Sequence, residues 1–311
     1  MKRIWQAACF GLALIGSTAS HAAEKVTIMY TATAPYMASF IAKEQGFFAK
    51  RGIDADFQLA ANGSVIVSAL VAGSVQVGTP TPSVFVQAVD NGIDVVALAS
   101  TNEYPDTTRS GLVARKEANI KSPKDVEGKK VGVPGIGGFL DVVLRKWLKD
   151  NGADTSKVQF VEIVLPQTGD ALKSGTVDAV ASVDPFFSRA LETGAGVLAG
   201  DYTTSLPAGT IASVYASTRD WATKHPDTVK AFQASIAEAV EFAKANPDGA
   251  RAALAKYVKL PPEVIAKLPI PNLTSKVSPA QIAFWLDVGR DQGFVTGKVD
   301  PASVIVPWQA N

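Results

Sequence analysis

Residues 132–139 read GVPGIGGF, after a strand-like KKV and before a helix-like LDVVLRKWLKDNG. A glycine-rich turn at such a junction presents free backbone N–H groups, and phosphate is a frequent guest there. The spacing argues against that guest. No Lys-Ser or Lys-Thr follows, as a Walker loop requires, and 135–140 read GIGGFL, without the third glycine of a dinucleotide fingerprint. What remains is general chemistry: Gly135, Gly137 and Gly138 let backbone approach a ligand, and orphan N–H groups at a helix start favour an anion. TATAP (31–35) brings the hydroxyls of Thr31 and Thr33 to another predicted helix start, and TPTPS (79–83) brings Thr79 and Thr81. All three turns fall at the carboxyl ends of predicted strands, where open α/β sheets bind ligands. Each residue also has a plainer reading: threonines cap helices, and paired glycines permit tight packing.

Nucleophilic and thiolate chemistry find little support. Residues 1–22, MKRIWQAACFGLALIGSTASHA, have a basic start, a short apolar stretch and a small-x-small site, the pattern of a secretory leader cleaved after Ala22. That leader takes the only cysteine, Cys9, and one of the two histidines, His21. The remaining chain has His225 alone, in TKHPD before a long predicted helix, where a solvated turn histidine is expected. No cofactor and no metal site are expected. The formal charge is +1, or −1 without Lys2 and Arg3, which gives no reason to expect a nucleic-acid partner. With 47% hydrophobic and 19% charged residues, a packed core is expected.

The elements that must hold these turns alternate as in a mostly parallel α/β fold. Strands are predicted at 26–30, 54–59, 75–77 and 95–99. Between them come a helix over 35–45 capped by Thr33, one capped by Ser64 and ending at Gly73, and one over 84–91 opened by TPTPS, with Ser83 as a cap. A second series starts at the capping box of Ser122 and Asp125, with strands at 130–134, 160–164 and 177–183. Its helices run from the glycine turn to Gly152 and over 169–174. The two series look alike: ALVAGSV (69–75) matches ALKSGTV (171–177), and EQG (44–46) matches DNG (150–152). A unit of about a hundred residues therefore occurs twice. TIASVYAST (210–218) is read as a strand returning to the first unit, before helices at 227–245, 248–258, 262–268 and 279–291. The chain then crosses between units twice, near 110–115 and near 205–210, a geometry suited to hinged closure on a ligand.

Six stretches carry a resemblance: AKEQGFFAKRGID (42–54), ALVAGSVQVG (69–78), SPKDVEGKKVGVPG (122–135), ALKSGTVDAV (171–180), DPF (184–186) and KHPDTVKAF (224–232). With these the chain resembles the periplasmic solute-binding proteins of the nitrate/sulfonate/bicarbonate (taurine-type) ABC transporters. The resemblance implies a type II periplasmic-binding-protein fold, with two α/β lobes, a two-crossing hinge and a ligand cleft between them. The expected division is a leader at 1–22, a first lobe of 23–111 plus 209–311, and a second lobe of 112–208. It also implies a periplasmic monomer, not an enzyme, that captures a small solute and delivers it to a membrane permease. Carried over residue by residue, the implied ligand contacts are Thr31, Thr33 and Tyr36, then Asn62 and Ser64, then Thr79 and Thr81. The second lobe adds Gly137, Gly138, Phe139, Asp184 and Phe186. Where relatives have an aromatic before Asp/Glu-Pro, this chain has Val183, which leaves room for a larger, partly apolar ligand walled by Tyr36, Phe139 and Phe186. Asp184 is expected to meet a ligand amine, and Arg109 is either a partner for a ligand acid or a solvated hinge arginine. The expected solute is a sulfonate- or carboxylate-like anion. The alternatives are a neutral thiamine-pyrimidine precursor or a pyrimidine-synthase-like enzyme on the same fold, and the latter's cysteine-rich motif is missing.

Overall fold

The computed structural model describes residues 23–308, so the leader read at 1–22 lies outside the described residues. The first series runs β1 (Glu24–Tyr30), α1 (Met37–Glu44), β2 (Ile53–Leu59), α2 (Gly63–Val71), β3 (Val77–Gly78), α3 (Pro82–Asp90) and β4 (Val95–Ser100). The second runs β5 (Ser110–Ala114), β6 (Lys130–Val133), α4 (Phe139–Asp150), β7 (Gln159–Glu162), α5 (Thr168–Lys173), β8 (Ala179–Val183), α6 (Phe186–Glu192) and β9 (Val197–Gly200). The chain then returns through β10 (Val214–Thr218), α7 (Arg219–Lys224), α8 (Pro226–Ala245), α9 (Pro247–Ala255), α10 (Pro262–Lys267) and α11 (Pro279–Asp291).

The strands form two five-stranded sheets with the same plan, β2-β1-β3-β10-β4 and β7-β6-β8-β5-β9. In each, four strands run in one direction, and the fourth position holds the single antiparallel strand, made just after a crossing, β10 in one sheet and β5 in the other. The duplicated motifs sit at equivalent places. Gly73 and Gly175 both take left-handed φ, +68° and +71°, where α2 and α5 stop ahead of the central strands β3 and β8. The first crossing lies at 101–109 rather than 110–115, because Ser110–Ala114 is a fully buried strand paired on both sides within the second sheet.

Several helix starts differ from the sequence reading. Asn62, not Ser64, caps α2, its Oδ1 accepting from the Val65 N–H at 3.1 Å. Thr33 stands at the cap of a single 3₁₀ turn (Ala34–Tyr36) ahead of α1, but its hydroxyl makes no cap bond. Ser83 lies inside α3, whose cap position is Thr81.

One apolar cluster runs through both sheets' helices, from Ile66 and Phe85 to Leu144 and Phe139, with Trp285 of α11 between. Polar bonds stitch the same face: Gln87 Nε2 donates to the Gly137 carbonyl at 3.1 Å, and Gln292 Nε2 to the Val142 carbonyl at 2.8 Å. Asp178, just ahead of β8, ties its strand end to two others in the second sheet, accepting from the Lys130 N–H at 2.9 Å and pairing with Arg115 at 2.7 Å. Burial pushes its carboxyl up, but the Lys130 N–H and the Arg115 guanidinium outweigh it and hold the group below its ordinary value. The native state therefore binds fewer protons there than the unfolded chain. The stabilisation is complete above the ordinary carboxylate value of about 3.9 and is lost as pH falls through the lowered folded value. Asp178→Asn is expected to cost about 1–2 kcal/mol at neutral pH. Denaturant midpoints should show its deficit shrinking below about pH 4; a deficit that stays constant with pH argues against a charge effect.

Candidate solute-binding cleft

Between the two sheets lies a cavity of about 360 Å³. Strand ends supply most of its wall, as parallel sheets dictate. From β1 come Thr31, Thr33 and Tyr36, from β2 Leu59 through Gly63, and from the start of α3 Thr81. The Tyr36 hydroxyl reaches the Thr79 carbonyl at 3.3 Å and receives a bond from Thr31 Oγ1 at 3.4 Å, so the first-lobe turns brace one another. Thr81 makes no cap bond and shares a hydrogen bond with Ser83 at 3.2 Å.

In the second lobe Gly135, Gly138, Phe139 and Leu140 line the cavity where α4 begins. The turn is held from behind. The Gly137 N–H donates to Asp141 Oδ2 at 2.8 Å, and the Ile136 N–H to Glu162 Oε1 at 2.9 Å. Asp141 is buried, and burial pushes its carboxyl up even with the Arg145 guanidinium 2.6 Å away. First-turn N–H groups of α2 and α4 have no intrahelical acceptor, so two helix N-termini, one per sheet, open into one cavity. Phe139 stacks on Tyr104 (5.7 Å between ring centres, 13° between planes), and Phe186 and Val183 complete the apolar wall.

Four expected contacts lie off this wall. Ser64 is inside α2, its carbonyl accepting from Ser68. Thr79 is buried, its hydroxyl spent on the Met29 carbonyl at 3.2 Å. Gly137 has φ +74°, and a side chain there would meet Gln87 at 3.1 Å rather than fill ligand space. Asp184 turns away: its Oδ1 accepts from the Ser188 N–H at 3.0 Å and the Ser188 hydroxyl at 2.6 Å, bracing the first turn of α6. Arg109 lies over Phe187 at 5.2 Å, bonds Ser188 at 3.3 Å and is not among the lining residues. Asp184→Ala is accordingly expected to cost about 1 kcal/mol of stability, as loss of a helix-start acceptor does. It should leave solute-induced thermal shifts unchanged, and a weakened shift at equal stability would bring Asp184 back to the ligand.

Sequence reasoning missed two groups of lining residues. Val164, Leu165 and Pro166 follow β7, and the strand-end rule applied elsewhere would have found them. Asn102, Tyr104, Asp106 and Thr108 come from the first crossing, and Ala212 and Ser213 from the second. The lining set holds no Lys, Arg or His among the described residues, and Asp106 is its one carboxylate.

The family described as NMT1/THI5 like matches residues 34–250. A binding protein of Brucella abortus (strain 2308) is 30% identical over 225 residues, 71% of this chain and 67% of that one. The taurine-binding periplasmic protein of Escherichia coli (strain K12) is 29% identical over 227 residues, 73% of this chain and 68% of that one. A formylaminopyrimidine-binding protein of Halalkalibacterium halodurans is 26% identical over 141 residues, 45% of this chain and 41% of that one. Among solved structures, the periplasmic aliphatic sulphonate binding protein SsuA of Escherichia coli superposes with a TM-score of 0.73 at 25% identity, covering 91% of this chain and 97% of that one. The two-sheet architecture is the periplasmic-binding fold of these neighbours, and the chain belongs to the NMT1/THI5-like family, among the ligand-binding components of sulfonate- and taurine-type ABC importers.

Proposed function

We propose that this chain captures a small organic solute by closing its two lobes, and that the closed form is what a membrane permease reads. In this reading it works as a periplasmic monomer freed of a leader at 1–22, with the lobes divided within the crossings 101–109 and 201–213. The carrying observation is the convergence of two helix N-termini, at Gly63 and at Gly138–Leu140, on one cavity with aromatic walls. Free N–H groups and the Thr31, Thr33 and Thr81 hydroxyls suit a compact acceptor group, sulfonate- or carboxylate-like. Tyr36, Tyr104, Phe139 and Phe186 suit a flat apolar body. A cavity of about 360 Å³ is far larger than nitrate or bicarbonate needs, which favours an organic solute. A neutral pyrimidine is the second reading, supported by the lack of any cationic side chain in the wall and by the pyrimidine-binding relative.

The test is a thermal-shift panel of benzenesulfonate, benzoate, ethanesulfonate, taurine, nitrate, bicarbonate and 4-aminopyrimidine. A compound at a hundred times its dissociation constant adds about 2.7 kcal/mol. Shifts with organic acids and none with nitrate or bicarbonate are expected. A shift with 4-aminopyrimidine alone favours the second reading, and silence throughout counts against solute capture.

A further inference from the structure

The first crossing turns an unpartnered hydroxyl and an incompletely satisfied carboxylate to the cleft. Thr108 is 6% exposed, lines the cavity, and its hydroxyl has no hydrogen-bond partner. A buried orphan hydroxyl is costly and calls for a reason. Two residues earlier, Asp106 lines the same cavity. Its carboxylate accepts from Asn102 Nδ2 at 2.6 Å, from the Thr107 N–H at 2.7 Å and from the Asn272 N–H at 2.7 Å. These neutral donors fix the group's position without cancelling its charge, and no salt bridge to it forms among the described residues. Three bonds also leave acceptor capacity open on Oδ2. Tyr104, on the same short segment, lays its ring parallel to Phe139.

We propose that Asp106 and Thr108 form a donor-binding subsite at the crossing: Asp106 accepts from an N–H-bearing nitrogen of the solute, an ammonium or a ring amino group, and the Thr108 hydroxyl takes a second hydrogen of that nitrogen. The proposal rests on the solute-capture reading and narrows it. The solute then carries an acceptor group for the helix N-termini and a donor nitrogen for the crossing. Discrimination follows from unpaired groups: a solute without the nitrogen leaves a carboxylate and a hydroxyl facing it unmatched.

Two matched pairs test this on the purified protein: taurine against ethanesulfonate, and 4-aminopyrimidine against 4-methylpyrimidine. Titrated thermal shifts are recorded for wild type, Asp106→Asn and Thr108→Val. Asparagine keeps the shape and one acceptor for Thr107 and Asn272, and valine keeps the shape of threonine, so both variants are expected to fold, which far-UV circular dichroism checks. In at least one pair the amino compound should bind about tenfold or more tightly than its partner, and each variant should reduce that preference about tenfold. Equal shifts within both pairs overturn the subsite alone. A preference that survives in both variants also overturns it, because the donor is then read elsewhere. Silence from all four compounds overturns the subsite and solute capture together.

Discussion

Phe139→Ala is expected to abolish the shift given by whichever aromatic acid of the panel binds, and to lower the stability of the unliganded protein by about 3 kcal/mol. The two effects have one origin. Phe139 is the first residue of α4, so the turn that aims the helix N-terminus at the cavity also plants this ring on its wall. The ring is 7% exposed, lies parallel to Tyr104 of the first crossing, and sits 5.4 Å from Trp285 of α11 at 50°. Three segments from both lobes thus meet on one side chain. Truncation leaves a cavity among them that can only partly collapse, and it removes the flat face against which a solute ring would lie. Phe139→Leu separates the terms. It refills most of the volume and should restore most of the stability, but an aromatic solute should still bind more weakly than to wild type. Wild-type affinity in Phe139→Ala would remove Phe139 from the solute wall, whatever happened to stability.

How much of this was legible beforehand depends on the kind of signal. Helix starts with two-sided chemistry were plain: Ser278-Pro279 opens α11 as expected, with Ser278 and Gln281 completing a capping box, and Ser122 and Asp125 do the same ahead of β6. The duplicated plan was legible because the repeats mark helix ends and central strands, which both sheets need at the same places. Side-chain direction at the strand ends was not. Thr79 and Asp184 have the right types at the right turns, yet neighbours a few residues or a strand away claim their oxygens: the Met29 carbonyl for one, Ser188 for the other. Residue type announces capacity for a bond, and only packing decides who receives it. The crossing 101–109 was misplaced for a related reason. SGLVA is five small or apolar residues with no alternation, and a strand buried on both faces gives no period to read. The residues ahead of it, Asp106 and Thr108 among them, fall inside the first-lobe range 23–111 and carry no ligand expectation from sequence.

Trp285 should show the largest stability effect. It is fully buried in α11, packed on Phe139 and edge-on to Phe284 at 5.4 Å, and its indole N–H donates to the Ile211 carbonyl at 3.2 Å. Ile211 belongs to the second crossing, next to Ala212 and Ser213 of the cleft wall. The indole is thus a bolt from a peripheral helix, through the apolar cluster shared by the lobes, into the second crossing. Trp285→Ala is expected to cost about 4 kcal/mol. At about 2–4 °C per kcal/mol for a chain of this size, the melting temperature should fall by roughly 10 °C. Trp285→Phe keeps most of the packing and removes only the donor. It leaves a carbonyl unpaired at a residue with no exposed surface, which costs about 1–3 kcal/mol. If the bolt matters to the hinge, Trp285→Phe should also raise hydrogen exchange selectively at 210–213, while exchange in β1 and β6 stays at its native rate. Uniformly faster exchange would mean that the indole contributes only to global stability, and a Trp285→Ala protein as stable as wild type would contradict the packing argument outright.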